Sequence, residues 1–223
     1  DFSKKEIIDL YRVDQNKIVV IPMGYDKAKY HADILDNNNI LTKYKIIQPY
    51  ILYVGRLEKK KNIGNIVKAF ASAKDSNPNL KLVLAGNAGN EYEAISRIIN
   101  DYKLEKEILL PGYVAEDDLP VVIKMAEIFM FATLYEGFGL PILQAMAVGT
   151  PVITSDIAPH RDIAFGAASL ADPYSSEGIA KQINKIIKDK DFALVLKNRG
   201  LERVKEFSWA DTAKKTWAVI SQK

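Results

Sequence analysis

Arg56 and Lys61 follow an apolar run, Tyr50–Val54, that ends in Gly55. A guanidinium forks across two phosphate oxygens and an ammonium adds a compact charge, so such a pair suits a diphosphate. Taken alone, Lys59-Lys60-Lys61 reads as a solvated charge run on a loop. Further along, Glu136-Gly137-Phe138-Gly139-Leu140-Pro141 comes after a second apolar run, Ile128–Ala132. Glycines let the backbone turn tightly and come close to a ligand. Pro141 falls in the first turn of the following helix, where its missing N–H costs nothing. Strand, glycine turn and helix start together leave unpaired N–H groups and a positive dipole end facing outward, a site for a phosphate. Gly137, Phe138, Gly139 and Leu140 would supply those donors, and their plain duty as a tight turn is what exposes them.

Other residues carry weaker signals. Asn87, in Ala85-Gly86-Asn87-Ala88-Gly89, ends another strand on the same side and is expected to face the cleft. His160, in Ala158-Pro159-His160-Arg161, sits at a helix start and reads as a capping or surface residue, although it lies on the cleft-facing end. His31 falls in a polar connector and reads as incidental. Trp209 and Trp217 share one face of the last helix and read as a packing face. No Ser/His/Asp arrangement, metal-ligand grouping, Gly-x-Gly-x-x-Gly fingerprint or P-loop lysine motif is present. Asp189-Lys190-Asp191 imitates an acidic metal motif but lies between two helices, far from any strand end.

The elements that must position these residues alternate. Strands are expected at Tyr50–Val54, Lys81–Ala85, Ile108–Leu110, Glu127–Ala132, Val152–Thr154 and Ala168–Ala171. Helices are expected at Asn62–Lys74, Glu91–Tyr102, Glu116–Met125, Pro141–Val148, Pro159–Ala164, Ser176–Lys188, Asp191–Phe207 and Trp209–Ser221, the last capped by Ser208. Short apolar runs between helix-period segments give an α/β fold, a mostly parallel sheet covered on both faces. The front of the chain differs. Ser3–Tyr11 reads as a helix, Lys17–Ile21 as a strand, Pro22–Asp26 as a turn, and Lys27–Gln48, with Asp36-Asn37-Asn38-Asn39, as a connector.

Composition sets outer bounds. The 223 residues are 48% hydrophobic and 26% charged, enough to bury a core. There is no cysteine, which excludes disulfides and thiolate metal sites and fits a reducing cytoplasm. A formal charge of +3 gives no case for nucleic acid, and is compatible with a mildly basic face toward phosphates or an anionic membrane surface. No apolar run approaches the ~20 residues of a membrane span.

The segments Glu136–Pro141, Ala145-Met146-Ala147 and Gly149-Thr150-Pro151-Val152-Ile153 resemble the donor-binding half of family 4 (group 1) glycosyltransferases, which have the GT-B architecture of two facing Rossmann-like domains. Tyr53-Val54-Gly55-Arg56-Leu57 with Lys60-Lys61-Asn62, then Leu82–Gly86 and Pro111–Val114, match in the same order, so the resemblance covers about Tyr50 to Trp217. It implies a Rossmann-like three-layer α/β/α domain at 49–207. Residues 1–48 would be the tail of an N-terminal acceptor domain plus connector, and 208–223 a crossover helix. The chain would then be a fragment that exposes or shares apolar surface at that helix.

The resemblance further implies transfer of a hexose from a nucleotide-diphosphate sugar to a saccharide or lipid-linked acceptor, with retention, no metal and no other cofactor. Arg56 and Lys61 would hold the diphosphate and stabilise it as leaving group. Glu136 would accept hydrogen bonds from the transferred sugar, and Gly55 would lie beside the phosphates. Val114 and Leu119 would line the nucleobase pocket, where backbone groups often read the base. The family has a second glutamate where this chain has Gln144, a neutral amide still able to reach a ribose hydroxyl. A cytoplasmic enzyme is implied, with peripheral association at the inner membrane face as a further expectation. Two alternatives stand beside this one. They are a non-catalytic nucleotide-sugar-binding module, favoured by Gln144, and a GT-B-fold epimerase or glycogen-synthase-like enzyme, whose turns carry different glycine and lysine patterns.

Overall fold

A computed structural model describes residues 2–36 and 39–221. Six strands, β1 (Tyr50–Val54), β2 (Lys81–Ala85), β3 (Ile108–Gly112), β4 (Ile128–Phe131), β5 (Val152–Ser155) and β6 (Ser169–Ala171), form one sheet. Its order is β3-β2-β1-β4-β5-β6, with every neighbouring pair parallel. Alternation along β1 explains the layering. Tyr50 and Leu52 join the apolar core on one face, while Ile51 and Tyr53 join the core on the other, and all four are fully buried. Each such side chain contributes roughly 1.5–3 kcal/mol by leaving water. A strand buried on both sides must be apolar throughout, which is why β1 and β2 have the bounds expected from sequence.

Helices α3 (Ile63–Lys74), α4 (Tyr92–Asp101), α5 (Leu119–Lys124), α6 (Leu140–Ala147), α7 (Ala158–Ala164), α8 (Ser176–Lys188) and α9 (Lys190–Arg203) cover the two faces. The result is the Rossmann-like three-layer α/β/α fold expected from the sequence. α5 starts at Leu119 instead of Glu116, leaving Glu116 in the loop after β3. α9 ends at Arg203 and continues as a 3-10 turn, Val204–Glu206. The last helix, α10 (Trp209–Ile220), has the expected cap, since Ser208 Oγ accepts from the Asp211 N–H at 3.0 Å. It buries none of its residues. Trp209 and Trp217 are 46% and 68% exposed, so within this chain they form no packing face.

The front segment departs most from expectation. α1 (Phe2–Tyr11) forms, but Lys17–Ile21 pairs with no strand among the described residues, and Val19 and Val20 are 56% and 43% exposed. β-branched residues favour an extended backbone, yet a strand exists only with a ladder partner. The turn falls at Lys27–Lys29, after Pro22–Asp26, where the Asp26 carboxylate accepts from the N–H of Ala28 (3.0 Å) and Lys29 (3.2 Å). The stretch taken as a connector holds a short helix, α2 (Ile40–Lys43), and buries Tyr30, Ile40, Leu41 and Ile46 in the core, with Tyr25 of the preceding segment beside them. Asn37 and Asn38 of that stretch lie outside the described residues.

Candidate active site at the strand-order reversal

The sheet runs outward in both directions from β1 and β4, which are neighbours. Connections leave such a pair toward opposite faces, opening a crevice at the carboxyl ends of the two strands. Gly55 and Arg56 stand at the end of β1, and Thr133 to Gly139 follow β4. At this edge the backbone is crowded. A Cβ on Gly86 would lie 2.1 Å from the Gly55 carbonyl oxygen, and both glycines have positive φ (+142° and +148°). Only glycine permits that approach. The phenolic O–H of buried Tyr53 donates to the Arg56 carbonyl at 3.1 Å. Burial, together with the charges of Glu136 and Glu58, pushes its ionisation well up, so it remains a donor.

Lys61 and Glu136 meet across the crevice as an ion pair, 17% and 19% exposed. The Lys61 ammonium also stands 5.6 Å from the centre of the Phe131 ring. Asn62 places this lysine. It takes a left-handed backbone (φ 61°, ψ 29°) at the start of α3, and its buried amide donates to Ala132 O (2.9 Å) and Pro173 O (2.6 Å). The Leu134 N–H donates to Lys60 O at 2.8 Å, tying the two loops together. Of the run Lys59-Lys60-Lys61, Lys61 therefore enters the site, whereas Lys60 stays 57% exposed, 4.0 Å from Glu58. Arg56 does not touch Lys61. Its Nε lies 3.3 Å from Glu58 Oε1, and its side chain is 68% exposed.

Gly139, at φ +106° and ψ 47°, turns the chain into α6, with Leu140 first and Pro141 second in the helix. Among the described residues no backbone N–H from Tyr135 through Leu140 donates a hydrogen bond. These N–H groups lead into the positive end of the helix dipole. Gln144 lies one turn further on, about 6 Å along the axis.

Eight of the expected site residues divide between two hollows, whereas Lys61, Glu136, Gly139 and Leu140 line neither of them. Gly55, Arg56, Asn87, Val114, Leu119 and Gln144 line one of about 400 Å³, together with Tyr30, Tyr113 and Glu116. Gly137 and Phe138 line a larger one of about 790 Å³, facing α1 and Ile18–Met23. Phe138 also packs edge-on against Phe207, centroids 6.2 Å apart, so its side chain is structural. His160 corrects its sequence reading. It is fully buried, neither cap nor surface group, with Nδ1 2.8 Å from Thr154 Oγ1. Burial, reinforced by the Lys61 charge and opposed by a hydrogen bond to the Ser155 backbone, lowers its pKa to about 4. Tyr30 and Glu116 were not singled out from sequence, because neither sits in a recognisable motif.

A family model described as glycosyl transferases group 1 matches residues 37–203. The chain belongs to the group 1 glycosyltransferases. This glycosyltransferase chain is 31% identical over 218 residues to the O-antigen chain mannosyltransferase B of Escherichia coli, covering 97% of the chain and 57% of that protein. It is 28% identical over 225 residues to the mannosylfructose-phosphate synthase of Agrobacterium fabrum, covering 96% of the chain and 50% of that protein. It thus spans about half the length of these relatives. Among solved structures, sucrose-phosphate synthase from Thermosynechococcus elongatus superposes with a TM-score of 0.82 at 26% identity, over 99% of this chain and 56% of that one. The GT-B reading of the fold rests on that likeness as well as on the sheet order.

Proposed function

We propose that this chain is the donor-binding half of a hexosyltransferase, which moves a hexose from a nucleoside-diphosphate sugar to a saccharide or lipid-linked acceptor with retention of configuration. The carrying observation is the crevice at the β1/β4 reversal, where the Lys61–Glu136 pair, Arg56 and the unpaired N–H groups before α6 share one edge of the sheet. Bond cleavage builds negative charge on the departing diphosphate. Fixed positive groups at that place favour the transition state over the ground state. Arg56, Lys61 and the N–H groups from Gly137 to Leu140 serve this role, and they supply the compensation without a metal or other cofactor. Glu136, held in place by Lys61, accepts from hydroxyls of the transferred sugar. Gly55 and Asn87 border the phosphate and ribose, Gln144 reaches the ribose, and Val114 with Leu119 wall the base.

The names of the relatives in Escherichia coli and Agrobacterium fabrum support mannose as the transferred sugar. In this reading 49–207 is the donor domain, and the front segment and α10 link it to an acceptor-binding domain. The absence of cysteine and the slight positive charge support a cytoplasmic enzyme working at the inner membrane face. Gln144, neutral where the family carries a glutamate, supports one rival, a module that binds the nucleotide sugar without turning it over. Assay of the full-length protein with a panel of nucleotide hexoses and saccharide acceptors separates the two. Transfer product with one donor is the expected result; nucleotide-sugar binding without turnover would establish the rival.

A further inference from the structure

The hollow of about 400 Å³ has a polar residue that the roles above leave unused. Glu116 stands on its wall among apolar neighbours, Val54, Val114 and Leu119, with the 63%-exposed ring of Tyr113 at the lip. The two acidic residues that follow it, Asp117 and Asp118, are placed differently. Asp117 is bonded to the Lys29 ammonium at 2.7 Å. Asp118 is bonded to the Lys43 ammonium at 2.6 Å and to the Tyr44 hydroxyl at 2.7 Å. Among the described residues Glu116 has no side-chain hydrogen bond; the cation paired with it is that same Lys29, at 3.9 Å. Two acids are hydrogen-bonded to cations, and the third keeps its carboxylate at the hollow with only a long ion pair to Lys29.

A carboxylate is acceptor-only, so it selects what presents donors. Across the Watson–Crick edge, guanine offers two adjacent donors, N1–H and the N2 amino group, which a carboxylate accepts in parallel. Uracil offers one N–H flanked by two carbonyl oxygens, either of which would face the second carboxylate oxygen. Adenine offers one amino group beside a bare ring nitrogen, again lone pair against lone pair. Apolar walls suit the flat faces of any base and do not discriminate.

We propose that Glu116 is the base-specificity residue of this site and that it selects a guanine nucleoside diphosphate over uracil and adenine ones. This rests on reading the hollow as the nucleotide site, with the diphosphate toward Arg56 and the base toward Val114. The chain should be titrated with GDP, UDP and ADP by calorimetry, in wild-type form and as Glu116→Ala and Glu116→Gln. The side chain is 75% exposed, so neither replacement threatens folding. A bidentate base contact is worth roughly 10- to 100-fold in discrimination. GDP is therefore expected to bind that much more tightly than UDP or ADP. Glu116→Ala should erase the preference while leaving UDP affinity within about threefold, and Glu116→Gln should fall between. Equal or tighter binding of UDP or ADP, or a preference for GDP that survives Glu116→Ala, would overturn the assignment while leaving the nucleotide site in place. If no nucleoside diphosphate bound at all, the reading of the hollow would fall with it.

Discussion

Lys61, from the loop after β1, and Glu136, from the turn after β4, form an ion pair across the reversal of the strand order, each about four-fifths shielded from water. Two segments 75 residues apart are thereby locked at the point where the chemistry is proposed. The pair also sets what each group can do. The Glu136 carboxylate orients the Lys61 ammonium, and Lys61 in turn fixes the carboxylate.

Exposed pairs contribute up to about 1 kcal/mol, and breaking a buried one costs about 3–5 kcal/mol. A pair at this intermediate burial should show a coupling of roughly 1–3 kcal/mol. A double-mutant cycle with Lys61→Met and Glu136→Gln, read from urea unfolding, measures it. Strict additivity of the two single changes would show that the contact contributes nothing to the fold.

Asn62 holds its left-handed conformation while donating to two carbonyls from different loops. Asn62→Ala should cost roughly 2–4 kcal/mol, from the lost bonds and the strained backbone. Asn62→Gly loses the same bonds but not the conformational preference, and should be milder by about 1–2 kcal/mol. Thermal or urea unfolding of both variants decides this. Equal losses would mean that the backbone conformation is not what the residue supplies.

The sheet was legible in the sequence because burial on two faces leaves few choices. Tyr50–Val54 is a continuous apolar run and Lys81–Ala85 is one after its first residue, and both form strands with those bounds. Lys17–Ile21 carries the same local signal, yet pairing is a non-local property and no partner strand lies beside it among the described residues. The site shows a similar division. The glycine turn and the two cations stand out as motifs. The seating of Lys61 depends on a left-handed Asn62, and that of Glu116 on where α5 starts, three residues after its expected start at Glu116. His160 looked like a surface group because its neighbours Pro159 and Arg161 are turn and surface types. Its burial is imposed by Thr154 and Phe131, which only the fold brings near.

His160 makes stability fall in acid. Its folded pKa, about 4, lies below its ordinary value of 6.5, so the unfolded chain binds a proton that the folded chain refuses. The contribution is complete above pH 6.5 and is lost as pH falls toward 4, amounting to about 3 kcal/mol. Between pH 7 and 4.5, His160→Gln should lose about 2 kcal/mol less stability than wild type, measured by urea midpoints at each pH. Parallel losses in the two proteins would contradict the buried neutral imidazole.

The account depends on a diphosphate being gripped at the β1/β4 crevice. The direct measurement is calorimetric titration of the chain with GDP and with GMP, repeated on the Arg56→Ala, Lys61→Met double variant. Wild type should prefer GDP to GMP by roughly tenfold or more, the worth of one to two charge-assisted hydrogen bonds, and the double variant should lose that preference. GDP affinity unchanged in the double variant would place the diphosphate elsewhere and contradict the account.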